Sequence, residues 1–155
     1  MIEHLNMPFS ADEEAAKLFD WCLGDKDAVL LLQNLAEISQ IADDYADKDV
    51  EGSEKITRLL HLSLVSLPTN PFFIKNLMWL VPVMSSSMHL WNASNDWKNH
   101  YGFVYREALE QIIHVVALLI GGQDHAAQVA KDVNEFYHQI HGEKYEDWMK
   151  ENSNG

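Results

Sequence analysis

Apolar residues recur along this chain at steps of three and four, the spacing that stacks side chains on one side of an α-helix. Ser10, with Glu13 three residues on, forms a capping box and predicts a first helix running to about Gly24, a natural C-terminal stop. Asp25 or Asp27 opens a second helix, in which Ala28, Leu31, Leu35, Ile38, Ala42 and Tyr45 share one face. A third begins near Ser53, turns Ile56, Leu59, Leu60, Ser63 and Leu64 inward, and ends before Pro68. Asn70 caps a fourth with Pro71 at its first position; it runs through Leu77 and Leu80, meets Pro82 as a kink or break, and resumes through Met84, Met88 and Trp91. A polar, aromatic connection over 92–102 leads to a fifth helix over 103–120. That helix is apolar nearly all round, which predicts a central place in the bundle, and Gly121-Gly122 stops it. A sixth covers about 124–141 and a short one 143–150. No segment sustains a period-two alternation. The pattern predicts an all-α fold, a single-domain bundle of six or seven helices over residues 1–150, with the tail ENSNG (151–155) disordered.

Length agrees, since 155 residues suffice for one domain with a proper core. Charge changes the picture more. Lys and Arg total 11 against 24 Asp and Glu, a formal net charge of −13 at pH 7. Such a surface repels nucleic-acid phosphates and anionic membranes, so neither is expected as a partner. It suits a divalent cation, a basic protein surface, imitation of DNA, or solubility alone. The single cysteine, Cys22, excludes an internal disulfide and a Cys-based zinc site, and fits a reducing compartment. Its WCL setting predicts a buried thiol. The stretch MIEHLNMPFSADEE has neither the basic nor the apolar region of a signal peptide, and VVALLIGG is too short to span a membrane. A cytoplasmic protein is expected.

The densest charge is in QIADDYADKD, with Asp43, Asp44, Asp47 and Asp49. On a helix Asp43 and Asp47 share a face and Asp44 is three residues from Asp47. Like charges there repel, and the C-terminal end of the helix dipole disfavours them further. Convergence of Asp43, Asp44 and Asp47 on one Mg²⁺, with phosphate oxygens completing the shell, would offset both costs. The other reading has Asp44 and Asp49 solvated and Asp43 paired to a Lys or Arg.

DDYAD has the form DDxxD and resembles the first aspartate-rich motif of class I isoprenoid synthases, all-α enzymes whose carboxylates bind diphosphate through Mg²⁺. The resemblance implies a second metal motif on another helix. NDWKNH, with Asn95, Asp96, Asn99 and His100, is the nearest stretch, but it lacks the Asn/Asp, Ser/Thr and Glu spacing. A longer resemblance covers roughly residues 37–122. EISQIADDYADKD, LVSLPTNPFF, HLWNASN, YREALEQ and LLIGG together look like a family of small uncharacterised tailed-phage proteins. It implies a phage origin and maps Asp43, Asp44, Asp47, Asp49, Asn70, Trp91, Asn95, Arg106 and Glu107 onto this chain. His100 and His114 stand outside its pattern.

Other constellations are thinner. Glu107, Glu110, Gln111 and His114 form a polar stripe on the fifth helix, read either as an Arg106–Glu110 network with His114 a satisfied core histidine, or as a stripe that faces the helix 2 aspartates and completes a metal site. Glu135-x-x-His138 has the ligand spacing of di-iron bundles, without the second such pair they need. His138 and His141 are expected at the surface. Ser85-Ser86-Ser87 lacks the strand–turn–helix setting of a nucleophile elbow. Trp79, Trp91, Trp97, Met84 and Met88 are expected mainly in the core, with an interface as the alternative.

Two functions follow. The first is a small acidic phage accessory protein that binds a host or virion protein, or a small ligand. The second is a Mg²⁺-dependent enzyme or binder of a phosphorylated small molecule, with Asp43, Asp44 and Asp47 on the metal and Asn95, Arg106 and Glu107 on the ligand. A homodimer is compatible with either.

Overall fold

The capping box at Ser10 forms: its Oγ accepts the Glu13 N–H at 3.1 Å, and Glu13 accepts the Ser10 N–H at 2.9 Å. It starts α1 (Ala11–Trp21) in a computed structural model that describes residues 10–153. The chain then turns through the left-handed Leu23 and Gly24 to Asp25, whose carboxylate accepts the Asp27 and Ala28 N–H groups and caps α2 (Lys26–Ala46). There follow α3 (Ile56–His61), a π-helical turn (Leu62–Ser66), α4 (Leu67–Thr69), α5 (Pro71–Lys75) and α6 (Leu77–Ser94). The last third holds α7 (His100–Tyr105), a 3₁₀ turn (Ala108–Glu110), α8 (Gln111–Asn134), a second π turn (Glu135–Ile140) and α9 (Tyr145–Ser153). The fold is an all-α bundle, with no strand among the described residues.

The core is built by α1, α2, α5, α6 and α8, through Leu18, Leu31, Phe73, Leu80, Val116 and Val133 among others. α8 packs on α6, α1 and α2, the central place its apolar first half predicts. Asn70 joins two parts of this core. It is buried, its Oδ1 accepts the Phe73 N–H at 3.0 Å, and its Nδ2 donates to the Asp27 carbonyl at 2.9 Å. One side chain therefore caps α5 and fixes it to the start of α2.

Several expected boundaries move, each for a local reason. Pro82 neither ends nor breaks α6; it lies on the exposed side, where the hydrogen bond it removes faces water. The interruption comes earlier, at Asn76 (φ −116°, ψ 19°), which turns its side-chain amide back to the Phe72 carbonyl. The third segment starts at Ile56 and passes Pro68, which occupies the first turn of α4. Leu62 is fully buried while Ile56, Leu60 and Leu64, expected inward, are exposed; the inward face runs through Leu59, Leu62 and Ser63 instead. The connection expected over 92–102 shrinks to 95–99 between α6 and α7. The helix expected over 103–120 is α7, a break at Glu107, the 3₁₀ turn and the start of α8. Gly102 permits that packing: a Cβ there would sit 1.8 Å from the Trp97 carbonyl oxygen. Gly122 leaves the helical conformation (φ 81°, ψ −174°), which only glycine adopts readily, and kinks α8 where the stop is expected. Residues 151–153, expected in a disordered tail, close α9, where Asn152 accepts a bond from Lys98; 154–155 lie outside the described residues.

Candidate functional site

The aspartates at the end of α2 point in different directions. Asp43 accepts the Trp91 indole N–H of α6 at 3.3 Å. Asp44, about 100° further round the helix, receives Lys55 Nζ at 2.5 Å and Gln40 Nε2 at 3.1 Å. Asp47 closes the helix and is exposed, as is Asp49. Among the described residues no three His, Cys, Asp or Glu side chains are grouped as a metal ion requires. The expected convergence of Asp43, Asp44 and Asp47 is thus replaced by a division: Asp44 is held by Lys55, while Asp43 and Asp47 remain neighbours on the other face. Charge follows this division. Burial alone would raise the Asp44 carboxyl, but the bonds from Lys55 and Gln40 prevail and hold it below the usual range. Asp43 is raised by burial and then by the charge of Asp47; Asp47, though exposed, is raised by the partial loss of water on its protein side and then by Asp49.

Asp43 and Asp47 both lie within electrostatic reach of Arg106, and Asp43 also of Glu107, so the start of the stripe is near the end of α2. The pairing within it differs from expectation. Arg106 bonds Glu143 at 2.8 Å, stands 3.6 Å from Glu107 and lies over the Phe103 ring, while Glu110 instead pairs with His138 at 2.7 Å. That bond raises His138 above the ordinary imidazole value. Glu107 is raised by the protein packed around it and then by Glu110. His138 sits in the second π turn, a distortion found often at functional sites, and is at the surface as expected, held there by Glu110. Glu135 is exposed, away from any di-iron arrangement. His114 is lowered by burial, and its buried Nε2 has no hydrogen-bond partner. Asn95 closes α6 and is exposed, Asn99 caps α7, and His100 stacks on Tyr145. The NDWKNH segment is therefore largely spent on folding. In Ser85-Ser86-Ser87 the first two are exposed and Ser87 is fully buried, and burial pushes the Cys22 thiol up to about 12.

A different surface stands out on α5 and α6. Residues 76–95 contain no Asp, Glu, Lys or Arg, in a chain that is 23% charged. The inner face of α6 buries Leu80, Ser87 and Ser94. Its outer face presents Met78 at 85% exposure, Trp79 at 67%, Val81 and Met88, with Leu77 and Ile74 beside them. Trp79 and Met88, expected mainly in the core, are thus on the surface, whereas Trp91 is half-buried on Asp43. Single exposed apolar residues are ordinary; a neighbouring set of this kind marks an interaction surface. The uncharged run was visible in the sequence as a signal, but its exposure depends on which side of α6 meets α8.

Comparison with protein-family models, curated proteins and solved structures returned no match.

Proposed function

We propose that this chain is a small helical binding protein that acts by docking on another protein through the outer face of α5 and α6, rather than by catalysis. The supporting observation is the exposed, charge-free set around Met78 and Trp79 on an otherwise strongly acidic molecule. Exposing it to water is unfavourable, and covering it by a protein recovers the hydrophobic contribution. No helix of the described residues is long and apolar enough to cross a membrane. The resemblance of residues 37–122 to small tailed-phage proteins would make the setting a phage-infected cell, with a host or virion protein in the partner's role.

The Mg²⁺ reading has less support. It requires Asp44 to exchange Lys55 for a cation, and Asn95 to reach back from the exposed end of α6. A photo-crosslinking residue tests the docking reading when placed at position 78 and, as a control, at exposed position 51 in the full chain expressed in cells. A discrete protein adduct from position 78 and none from 51 is expected. Equal yields from both, or none from 78, would sink the reading.

A further inference from the structure

We infer that the occupant of the α5–α6 outer face is a second copy of this chain, in a two-fold homodimer; the inference rests on the docking reading above. Charge is the first argument. Residues 55–106 hold five of the 11 Lys and Arg but only one of the 24 Asp and Glu. Most of those cations are engaged from elsewhere in the fold: Lys55 by Asp44, Arg58 by both oxygens of Glu37, and Arg106 by Glu143. The outer face of α6 is therefore neutral, not basic. Two copies can meet there without bringing like charges together, with their acidic remainders directed away. Contact through the carboxylate-rich regions would set like charge against like. An anionic membrane would need several free Lys or Arg around the apolar residues, and α5 and α6 carry one, Lys75.

Shape is the second argument. A two-fold interface uses the same patch on both copies, so the patch must complement itself. An antiparallel crossing centred near the exposed Ser85 and Ser86 places these small side chains at closest approach. The same crossing sets Val81 of each copy against Met88 of the other. Standard interfaces use roughly 20–30 residues a side. The outward half of α5 and α6 supplies fewer, which places the dimer among small, reversible interfaces.

Sedimentation velocity of the purified full chain, from about 1 to several hundred micromolar, tests this. The wild type is expected to pass from monomer to dimer across that range. Added salt should strengthen the dimer by screening the acidic remainders. Met78→Glu and Val81→Glu are expected to weaken it by about tenfold or more; both positions are exposed, and unchanged circular dichroism and melting confirm that the variants fold. A wild type that stays monomeric throughout overturns the homodimer, as does a dimer indifferent to both substitutions. Co-flotation of monomer with phosphatidylglycerol vesicles, lost in Met78→Glu, also overturns it in favour of a lipid surface. If the chain is monomeric while position 78 still crosslinks a different protein, the homodimer falls and the docking reading stands.

Discussion

The C-terminal end of α2 and the outer face of α6 stand in opposite relations to their surroundings. The first concentrates charge, yet two of its four carboxylates find partners within the fold: Asp43 on Trp91, Asp44 on Lys55 and Gln40. The second carries no charge, and its largest side chains meet water. The difference teaches that conspicuous residues and unsatisfied residues are not the same. Four aspartates in seven positions draw the eye, but bonds within the chain account for much of their placement. Trp79 reads in sequence as mainly a core residue and Met78 carries no motif, and nothing in the described fold accounts for their exposure.

The largest effect should separate the two sides of α6. Leu80→Ala removes a fully buried side chain and is expected to cost about 2–5 kcal/mol in urea unfolding. Met78→Ala, two residues away, should change stability by less than about 0.5 kcal/mol. Comparable losses would mean that the outer face is already part of a core.

At the acidic side, Asp44→Asn should cost less than about 1 kcal/mol, because Lys55 is well exposed and the pair is screened. A gain in stability would show that the observed ion pair is not formed in solution. Glu107→Gln should instead raise the melting temperature slightly at neutral pH. A raised carboxyl binds its proton more tightly when folded, so its contribution to stability declines as pH rises from the ordinary carboxylate range through the folded value. The gain from Glu107→Gln should therefore shrink on acidification; a gain independent of pH would assign it to packing.

His138 titrates with the same sign, at higher pH. Its folded value is raised, so the stability it contributes is complete below the ordinary imidazole value of about 6.5 and is lost as pH rises through the folded one. Melting followed across that interval should show a decline that His138→Gln removes. A wild-type curve that is flat there would contradict the Glu110–His138 bond. The smallest effect concerns the metal. Millimolar Mg²⁺ should leave the melting temperature unchanged, since a ligand stabilises only the state it binds. A rise abolished by Asp43→Asn with Asp47→Asn would return the working site to the end of α2.

Local signals in the sequence transferred well to the fold. Ser10 with Glu13, Asp25, and Asn70 with Pro71 start the helices they indicate, because a cap needs only its own next turn. Gly122 also departs from helix where the glycine pair suggests. Phase was less legible. Leu62 takes the core position that the spacing assigns to Leu60 and Leu64, because apolar residues on both sides of this segment leave its inward face ambiguous. At the polar network, neighbours in sequence misled. Arg106 and Glu110 are one turn apart on a continuous helix, but the break at Glu107 separates them and sends each to the last quarter of the chain, to Glu143 and His138. Which carboxylate meets which base is fixed by packing between helices, and spacing carries no record of it.

The contrast between the two surfaces can be read in one footprinting experiment on the full chain, diluted and concentrated. Methionine oxidation reports Met78 and Met88, and carbodiimide labelling of carboxylates reports Asp47 and Asp49. The expected result is protection of both methionines on concentration, with the aspartates labelled equally throughout. Protection of Asp47 and Asp49 with Met78 and Met88 still open would contradict the account and make the acidic end of α2 the working surface.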